Sequence, residues 1–564
     1  MFLAIIFNFI SLITLLGYTL FVKKILIINK NFQTYNFEIK NLDIFYGLIF
    51  LIFVSLFINF FFPLKYFTLP VILLGVIFFI VGLYKNSFKL NFILYFLIIF
   101  FITFISFYSK DNVDSPMYHL QIVKWMASNK INFGIANLEV RLGFNSSWHS
   151  FIALFDLNFR DFSNKFYISS IFFSFIIYEV LQNKKKYSLS DYFLFLVLLY
   201  LFLFSFLHPY NYGVVLNHLG NPERDIVSMF LYFFVIYLFM KINENENNNN
   251  NSVLNEDKHN LINIFFISIF LCVTTRITTL PILILFFYVF FNVKNYKKIN
   301  ILNIFILVTG VFWMMRSFVL SGCLVFPVTQ TCLPTFWTVK LETVKFLVEE
   351  AMRYSRTLPS LEKVHDFNFT LYSYDWLFPW FKNYYLKAAL LQIGSSLILI
   401  SLILLIIKIL YNKIKKYNDT KIFKYEYVIF LTLVIHVIFW LRAPEIRYAW
   451  GLLFSLPVFF VIIVVKLFFT NNIIFQHKHI VPTFLIVFIL FFPKSFHNFN
   501  LHDLYKTNQR KYDFSNIKKI GTFNGIDIYY NYWRCADYEN VCVNIPKKNY
   551  KIYKKFGYIF YETN

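Results

Sequence analysis

Charge is the first thing this sequence has little of. Asp, Glu, Lys and Arg make up 15% of its residues, where an ordinary soluble domain carries roughly a quarter, so water is not the solvent around most of the chain. Acidic residues are the scarcer kind, 30 against 53 Lys and Arg, leaving a formal charge of +23. Such a surplus can serve nucleic acid, but these cations are scattered among short loops and the C-terminal tail. Membrane topology and anionic lipid account for them better, and no nucleic-acid partner is expected. Also missing are a basic n-region and a small-residue cleavage site in Met1–Leu20, so this segment reads as a first span instead of a removed signal peptide. Without a Walker-type Gly-rich loop, a Gly-x-Ser-x-Gly elbow or a dinucleotide fingerprint, direct use of ATP or NAD has no support.

What is present is apolar, 58% of the residues, in runs near 20 long that recur from end to end. Such runs match the length a helix needs to cross a bilayer. They fall near residues 2–22, 43–63, 67–84, 91–108, 166–182, 191–207 and 226–240, then 260–275, 278–292, 300–316, 388–410, 425–441, 448–469 and 478–493. The expected fold is therefore an all-α polytopic membrane protein of roughly fourteen transmembrane helices. Residues 1–493 form the membrane domain and 494–564 a small C-terminal subdomain of soluble composition.

Basic loops give this topology a direction. Lys23, Lys24, Lys30, Lys85, Lys184–Lys186, Lys294, Lys297, Lys298, Lys413, Lys415, Lys416, Lys421 and Lys424 all fall on one side, which the positive-inside rule makes cytoplasmic. The Asn-rich stretch 243–260 lies there too and reads as a solvated linker. The other side holds a first large loop, 109–165, a second, 317–387, the short hairpin 442–447 and the tail. Cys323, Cys332, Cys535 and Cys542 lie on that face, where an oxidising exterior permits two local disulfides; free thiols are the alternative.

The first loop carries the densest chemistry. Ser115 before Pro116 marks a helix start, and Tyr118, Ile122 and Trp125 share one face, as suits a helix lying along the membrane surface. Asp114 then sits at its N-terminus. It serves either as dipole complement and cap or as a general base at the water–lipid boundary, with Asp111 as partner or bystander. Further on, Arg141 suits a phosphate, while Asn145 and His149 suit hydroxyls; a packed re-entrant turn is the plainer reading. Arg276 and Arg316 lie where cations near hydrocarbon need a partner or a cavity, and Glu445 and Arg447 share the short hairpin. Asn221-Pro222-Glu223-Arg224-Asp225 reads as an interfacial cap. The exterior histidines, His119, His149, His208 and His218, match no standard zinc spacing.

Several of these motifs carry a resemblance. Asp114-x-x-x-Tyr118-His119-x-Gln121-x-x-Lys124-Trp125, then Arg141-Leu142-Gly143-Phe144-Asn145-Ser146-Ser147-Trp148, look like those of an uncharacterised group of bacterial multi-pass membrane proteins. That group is similar in architecture to the GT-C glycosyltransferases. Arg316-Ser317 with Ser321-Gly322-Cys323, Ala443-Pro444-Glu445-x-Arg447-Tyr448, and Cys535-Ala536-Asp537 with Cys542 extend the match from roughly residue 90 onward. The group usually has Tyr where this chain has Cys323, which makes a Cys323–Cys332 bridge worth testing. The resemblance implies a GT-C-like fold in a bacterial inner membrane, with functional loops and C-terminus outside. It also implies a polyprenyl-phosphate sugar as donor and Asp114 at the catalytic carboxylate position. Arg141, Arg316 and Arg447 would hold the donor phosphate, and Tyr118, Trp125 and Trp148 would stack on sugar or line the lipid entrance. His119, Gln121, Lys124, Asn145, His149 and Glu445 complete the candidate substrate site. Asp111 and Asp114 are not adjacent, as the paired acids of those enzymes often are, so a divalent-metal role stays open. No other cofactor is implied, and membrane lipid and lipid-linked sugar are the expected partners. A transporter or flippase of lipid-linked glycans, and a glycan polymerase or ligase, are the competing classes; no convincing internal repeat favours the transporter.

Overall fold

The computed structural model describes residues 1–27, 38–85, 87–88, 90–107, 109, 114–159, 162–163, 166–182, 188–207, 218–246, 253–292, 301–357, 373–383, 385, 388–414 and 424–468. Towards the C-terminus it describes 514–531, 535–536, 538, 540–544, 546–547 and 550–562. Asp111 and the expected span 478–493 lie outside these residues.

The apolar runs become helices. The first seven are α1 (Phe2–Ile27), α2 (Ile44–Phe61), α3 (Lys65–Lys85), α4 (Phe92–Phe107), α5 (Leu120–Ser128), α6 (Ser147–Leu154) and α7 (Ser169–Leu181). There follow α8 (Leu189–Leu207), α9 (Arg224–Glu246), α10 (Val253–Thr275), α11 (Leu283–Asn292), α12 (Ile301–Ser321) and α13 (Leu341–Thr357). The last are α14 (Leu377–Asn383), α15 (Ala389–Ile414), α16 (Lys424–Trp440) and α17 (Trp450–Phe468). Among the described residues eight helical segments are long and apolar enough to cross a membrane, so the chain is an all-α polytopic membrane protein. The expected count of fourteen is not met. Five expected spans fall on apolar helices of 10–17 residues.

Helix α9 is the hub. Its apolar window is 94% buried, against 11% for α15, which lies at the edge against α17. Around α9 pack α8, α10 and α17, while α1 packs against α2 and α3. Where α1 meets α3 the backbones nearly touch, since a Cβ on Gly17 would lie 1.8 Å from the Gly75 carbonyl oxygen. Small residues permit such close crossings between membrane helices. The Asn-rich linker is shorter than expected, as α9 continues to Glu246 and α10 starts at Val253.

Two-residue strands β1 (Glu38–Ile39) and β2 (Ser87–Phe88) pair in parallel; β3 (Asn158–Phe159) and β4 (Phe162–Ser163) pair antiparallel. The C-terminal unit is built from β5 (Lys518–Phe523), β6 (Ile526–Tyr530), β7 (Val541–Val543), β8 (Lys551–Lys555) and β9 (Tyr558–Glu562). β5 and β6 form a hairpin with β7 parallel to β6, and β8 pairs with β9. Asn524 and Gly525 both have positive φ, the backbone that a two-residue hairpin turn matched to strand twist demands. This unit docks on the first loop through backbone bonds: Phe133 N donates to Ile559 O and Tyr561 N to Phe133 O, each at 2.9 Å.

The first loop differs from the expected surface helix. Leu120, Ile122, Val123, Met126 and Ala127 of α5 are all buried, leaving only Lys124, Trp125 and Ser128 partly open. α5 packs on α6, and its Met126 carbonyl accepts from Leu64 N and from Asn59 Nδ2 at the end of α2. The apolar face that was expected to meet lipid instead meets protein.

Candidate functional site

Asp114 precedes a π-helical turn, Ser115–His119, that runs into α5. Pro116 at its start has no N–H to leave unpaired and a φ suited to the first turn. Ser115 makes no capping bond, and its buried Oγ has no partner. Wide turns of this kind are frequent at functional sites. The C-terminal unit holds the turn from behind: Ala536 N donates to Pro116 O at 2.7 Å and Asn544 Nδ2 to Met117 O at 2.8 Å.

From the opposite side comes the 442–447 hairpin. Arg447 Nη1 donates to Asp114 Oδ2 at 2.9 Å, and Arg447 Nε lies 3.3 Å from Glu445 Oε1. The Asp114 side chain remains 25% exposed. Beneath this pair, at the junction of α9 and α10, Arg276 is ion-paired with Asp225, both side chains 7% exposed. Arg276 also donates to Arg447 O at 3.3 Å and lies over the Tyr448 ring, 4.8 Å from its centroid. The two ion pairs thus form one chain across four elements. A small crevice with room for about one water lies between α9, α16 and α17, lined among others by Asp225, Tyr232, His436, Arg447 and Trp450.

Next to the pairs, His119 Nδ1 and His149 Nε2 lie 3.0 Å apart. Both rings are buried. Burial, and then nearby Arg224, pushes the His119 pKa well below its usual range; burial, then His119, Arg224 and Arg316, does the same to His149. Burial and the neighbouring arginines thus favour the neutral form of both rings. Burial also drives the Tyr118 phenol far above its ordinary pKa, with the Asp114 carboxylate adding to the shift.

The remaining candidates separate into two groups. Asn145 belongs to the cluster, accepting from Arg316 Nη1 at 2.7 Å and donating to Trp313 O at 2.7 Å. Gln121 is buried with Oε1 unpartnered. Arg141 donates to Met117 Sδ, in the turn that follows Asp114, at 3.1 Å and lies 3.5 Å from Glu350. Trp148 is a core residue stacked on Phe151, its indole N–H on Ser169 Oγ at 3.3 Å, so it presents no open face to a sugar. Trp125 packs edge-on against Tyr561, and Lys124 is half-buried on α5. Cys323 is disulfide-bonded to Cys332, and Cys535 to Cys542. Among the described residues no group of three or more His, Cys, Asp or Glu side chains is placed to hold a metal ion.

Asp225 and Arg276 were not among the expected site residues. Each has a bland reading in isolation, as a helix cap or as an arginine near lipid. The signal was their cost, since ionised groups at the ends of apolar spans need partners.

Fold and site together define a polytopic helical membrane protein with a buried, charge-paired cluster at one end of its helices. The chain belongs to a family described as a domain of unknown function, DUF8201, which matches residues 1–454. No curated protein and no solved structure matches it. The matched region contains every residue of the ion-pair chain and ends before the C-terminal unit that braces it.

Proposed function

We propose that this protein is a membrane glycosyltransferase of GT-C type, moving a sugar from a polyprenyl phosphate to a cell-envelope acceptor. The observation carrying the reading is the setting of Asp114. Arg447 holds its Oδ2, which leaves Oδ1 for the hydroxyl of an acceptor, and the side chain is open to solvent on the face where several arginines gather. A positioned general base contributes about 10²- to 10⁴-fold to such a reaction. In this reading Arg447 orients the base, Arg276 and Asp225 hold Arg447 from below, and the donor phosphate approaches the arginines from the bilayer. The reading takes the site and the C-terminal unit to lie outside a bacterial cytoplasmic membrane, as two disulfides favour. It also includes the GT-C arrangement of helices.

The test is an assay of purified protein in proteoliposomes with a panel of polyprenyl-phosphate sugars. Wild type should transfer sugar, and Asp114→Asn should lose about 100-fold or more at unchanged membrane abundance. Normal turnover by Asp114→Asn removes the proposal. Movement of lipid-linked glycan across the bilayer without bond formation would make the protein a transporter instead.

A further inference from the structure

The four arginines around the site are not equivalent. Arg447 and Arg276 are neutralised by Asp114, Glu445 and Asp225. Arg316 and Arg224 have no carboxylate within ion-pair distance among the described residues. Arg316 is 3% exposed and is held only through Nη1 on Asn145; its Nε is buried and unpartnered. The Arg224 guanidinium lies over the Phe144 ring, 4.4 Å from the centroid, and its Nε is likewise buried and unpartnered. Phe144 and Asn145 are consecutive, so the two guanidiniums flank one dipeptide, Arg316 with no carboxylate partner among the described residues and Arg224 with Asp225 acting on it at longer range. An uncompensated buried cation is costly unless something anionic joins it.

The segment that follows supplies further donors. Ser146 stands at the N-cap of α6 and makes no capping bond; its Oγ is buried without a partner. His149, one turn into α6, has a buried, unpartnered Nδ1. In the tautomer where His149 Nε2 accepts from His119 Nδ1–H, that free nitrogen bears the proton. Trp313, one turn before Arg316 on α12, has an unpartnered indole N–H and lends its carbonyl to Asn145. Unmet groups in a protein interior are uncommon, and each asks for a cause. Here five can donate, at Ser146, His149, Trp313, Arg224 and Arg316, and three accept, at Gln121, Glu223 and Glu445. The donors gather where a helix N-terminus adds its own positive end.

We infer that the N-terminus of α6, with Arg224, Arg316, Ser146 and His149, is a binding site for the anionic phosphate of a phosphate ester. A phosphate supplies the acceptor oxygens these donors lack and the opposing charge that buried Arg316 lacks. The site lies beside the Asp114–Arg447 pair without including it, and it replaces Arg141 and Arg447 as the holder of phosphate. The source of the phosphate as a lipid headgroup rests on the transfer reading above; the anion site itself does not.

Binding tests it, with the full-length protein in nanodiscs and three probes: a long-chain polyprenyl monophosphate, the matching neutral polyprenol, and inorganic phosphate. Tight binding of the polyprenyl phosphate, with polyprenol weaker by about tenfold or more, supports a lipid headgroup; binding of inorganic phosphate alone supports a soluble ligand. Arg316→Gln and Ser146→Ala should each weaken the bound phosphate probe, the first by about tenfold or more. Arg224→Gln, at a half-buried position, gives the same readout should Arg316→Gln not fold. Equal affinity for phosphate and polyprenol probes, or wild-type affinity in Arg224→Gln and Arg316→Gln, overturns the inference. Asp114→Asn should keep phosphate binding, so intact phosphate binding with no transfer by wild type, or with normal transfer by Asp114→Asn, counts against the transferase reading and not against this site.

Discussion

Arg447 and Asp114, 333 positions apart in the chain, meet through a hydrogen-bonded ion pair of 2.9 Å that leaves Asp114 Oδ1 without a partner among the described residues. The arginine acts on the carboxylate's position, because its second contact, to Glu445, fixes the guanidinium plane. Arg447→Lys should retain the charge but lose the fork, since an ammonium cannot bridge two carboxylates with the same geometry. Transfer by Arg447→Lys is expected to fall about 10- to 100-fold, mainly in kcat, a smaller loss than for Asp114→Asn. Equal losses in kcat and substrate affinity would instead mark Arg447 as a ligand-binding residue.

The Arg276–Asp225 pair should matter for folding more than for chemistry. Both side chains are 7% exposed, and removing one partner of a buried pair costs about 3–5 kcal/mol because the other charge is stranded. Arg276→Met should therefore lower the unfolding midpoint in detergent markedly. Arg276→Met combined with Asp225→Leu should recover most of that loss. Additive losses in the double variant would show that the two side chains are not coupled.

The Cys535–Cys542 bridge closes a short loop; Ala536 within it and Asn544 just beyond it hold the carbonyls of Pro116 and Met117 behind Asp114. A loop of that size is stabilised by about 2–3 kcal/mol in the chain-entropy account. Replacing both cysteines with serine should loosen the C-terminal unit and lower transfer while leaving the membrane helices intact. Limited proteolysis should then cut within 514–562 first. Unchanged proteolysis and activity would mean that the strands hold the unit without the bridge.

Much of this organisation was legible in the sequence, for reasons that can be named. Apolar runs announce helices because a bilayer admits few other structures, and Ser115-Pro116 marks a helix start with Asp114 at its head. What could not be read was pairing. Arg141 and Arg447 look alike as isolated cations in polar loops, yet one meets Glu350 and the other Asp114. Trp148 looked like a sugar platform because a tryptophan beside polar residues suggests an exposed ring, but α6 turns it into the core. The C-terminal strands were hidden for a different reason. Their residues pair across turns and against Phe133, more than 400 positions away, and no local periodicity encodes that contact.

The His119–His149 pair leads to a prediction about acid. Both imidazoles have pKa values depressed well below the usual 6.5, first by burial and then by arginines: Arg224, Arg276 and Arg447 act on His119, and Arg224 and Arg316 on His149, with Asp225 opposing. A group whose folded pKa lies below its unfolded value stabilises the fold above the unfolded value, and that contribution is lost as pH falls. The unfolded chain takes up protons near pH 6.5 while the folded pair refuses them, so stability should decline below that pH. Each histidine contributes up to about 1.4 kcal/mol per pH unit. The unfolding midpoint in detergent, followed from pH 8 to pH 5, should drop steeply for wild type. In the His119→Gln, His149→Gln variant, which keeps polar side chains but cannot titrate there, the slope between pH 6.5 and pH 5 should flatten. Phosphate bound at the α6 N-terminus should shift this balance, because an anion beside His149 offsets the arginines and favours the imidazolium. Adding the phosphate probe should therefore reduce the acid sensitivity of wild type and leave that of the double variant unchanged. An identical acid slope in wild type and variant would show that the pair is not what titrates.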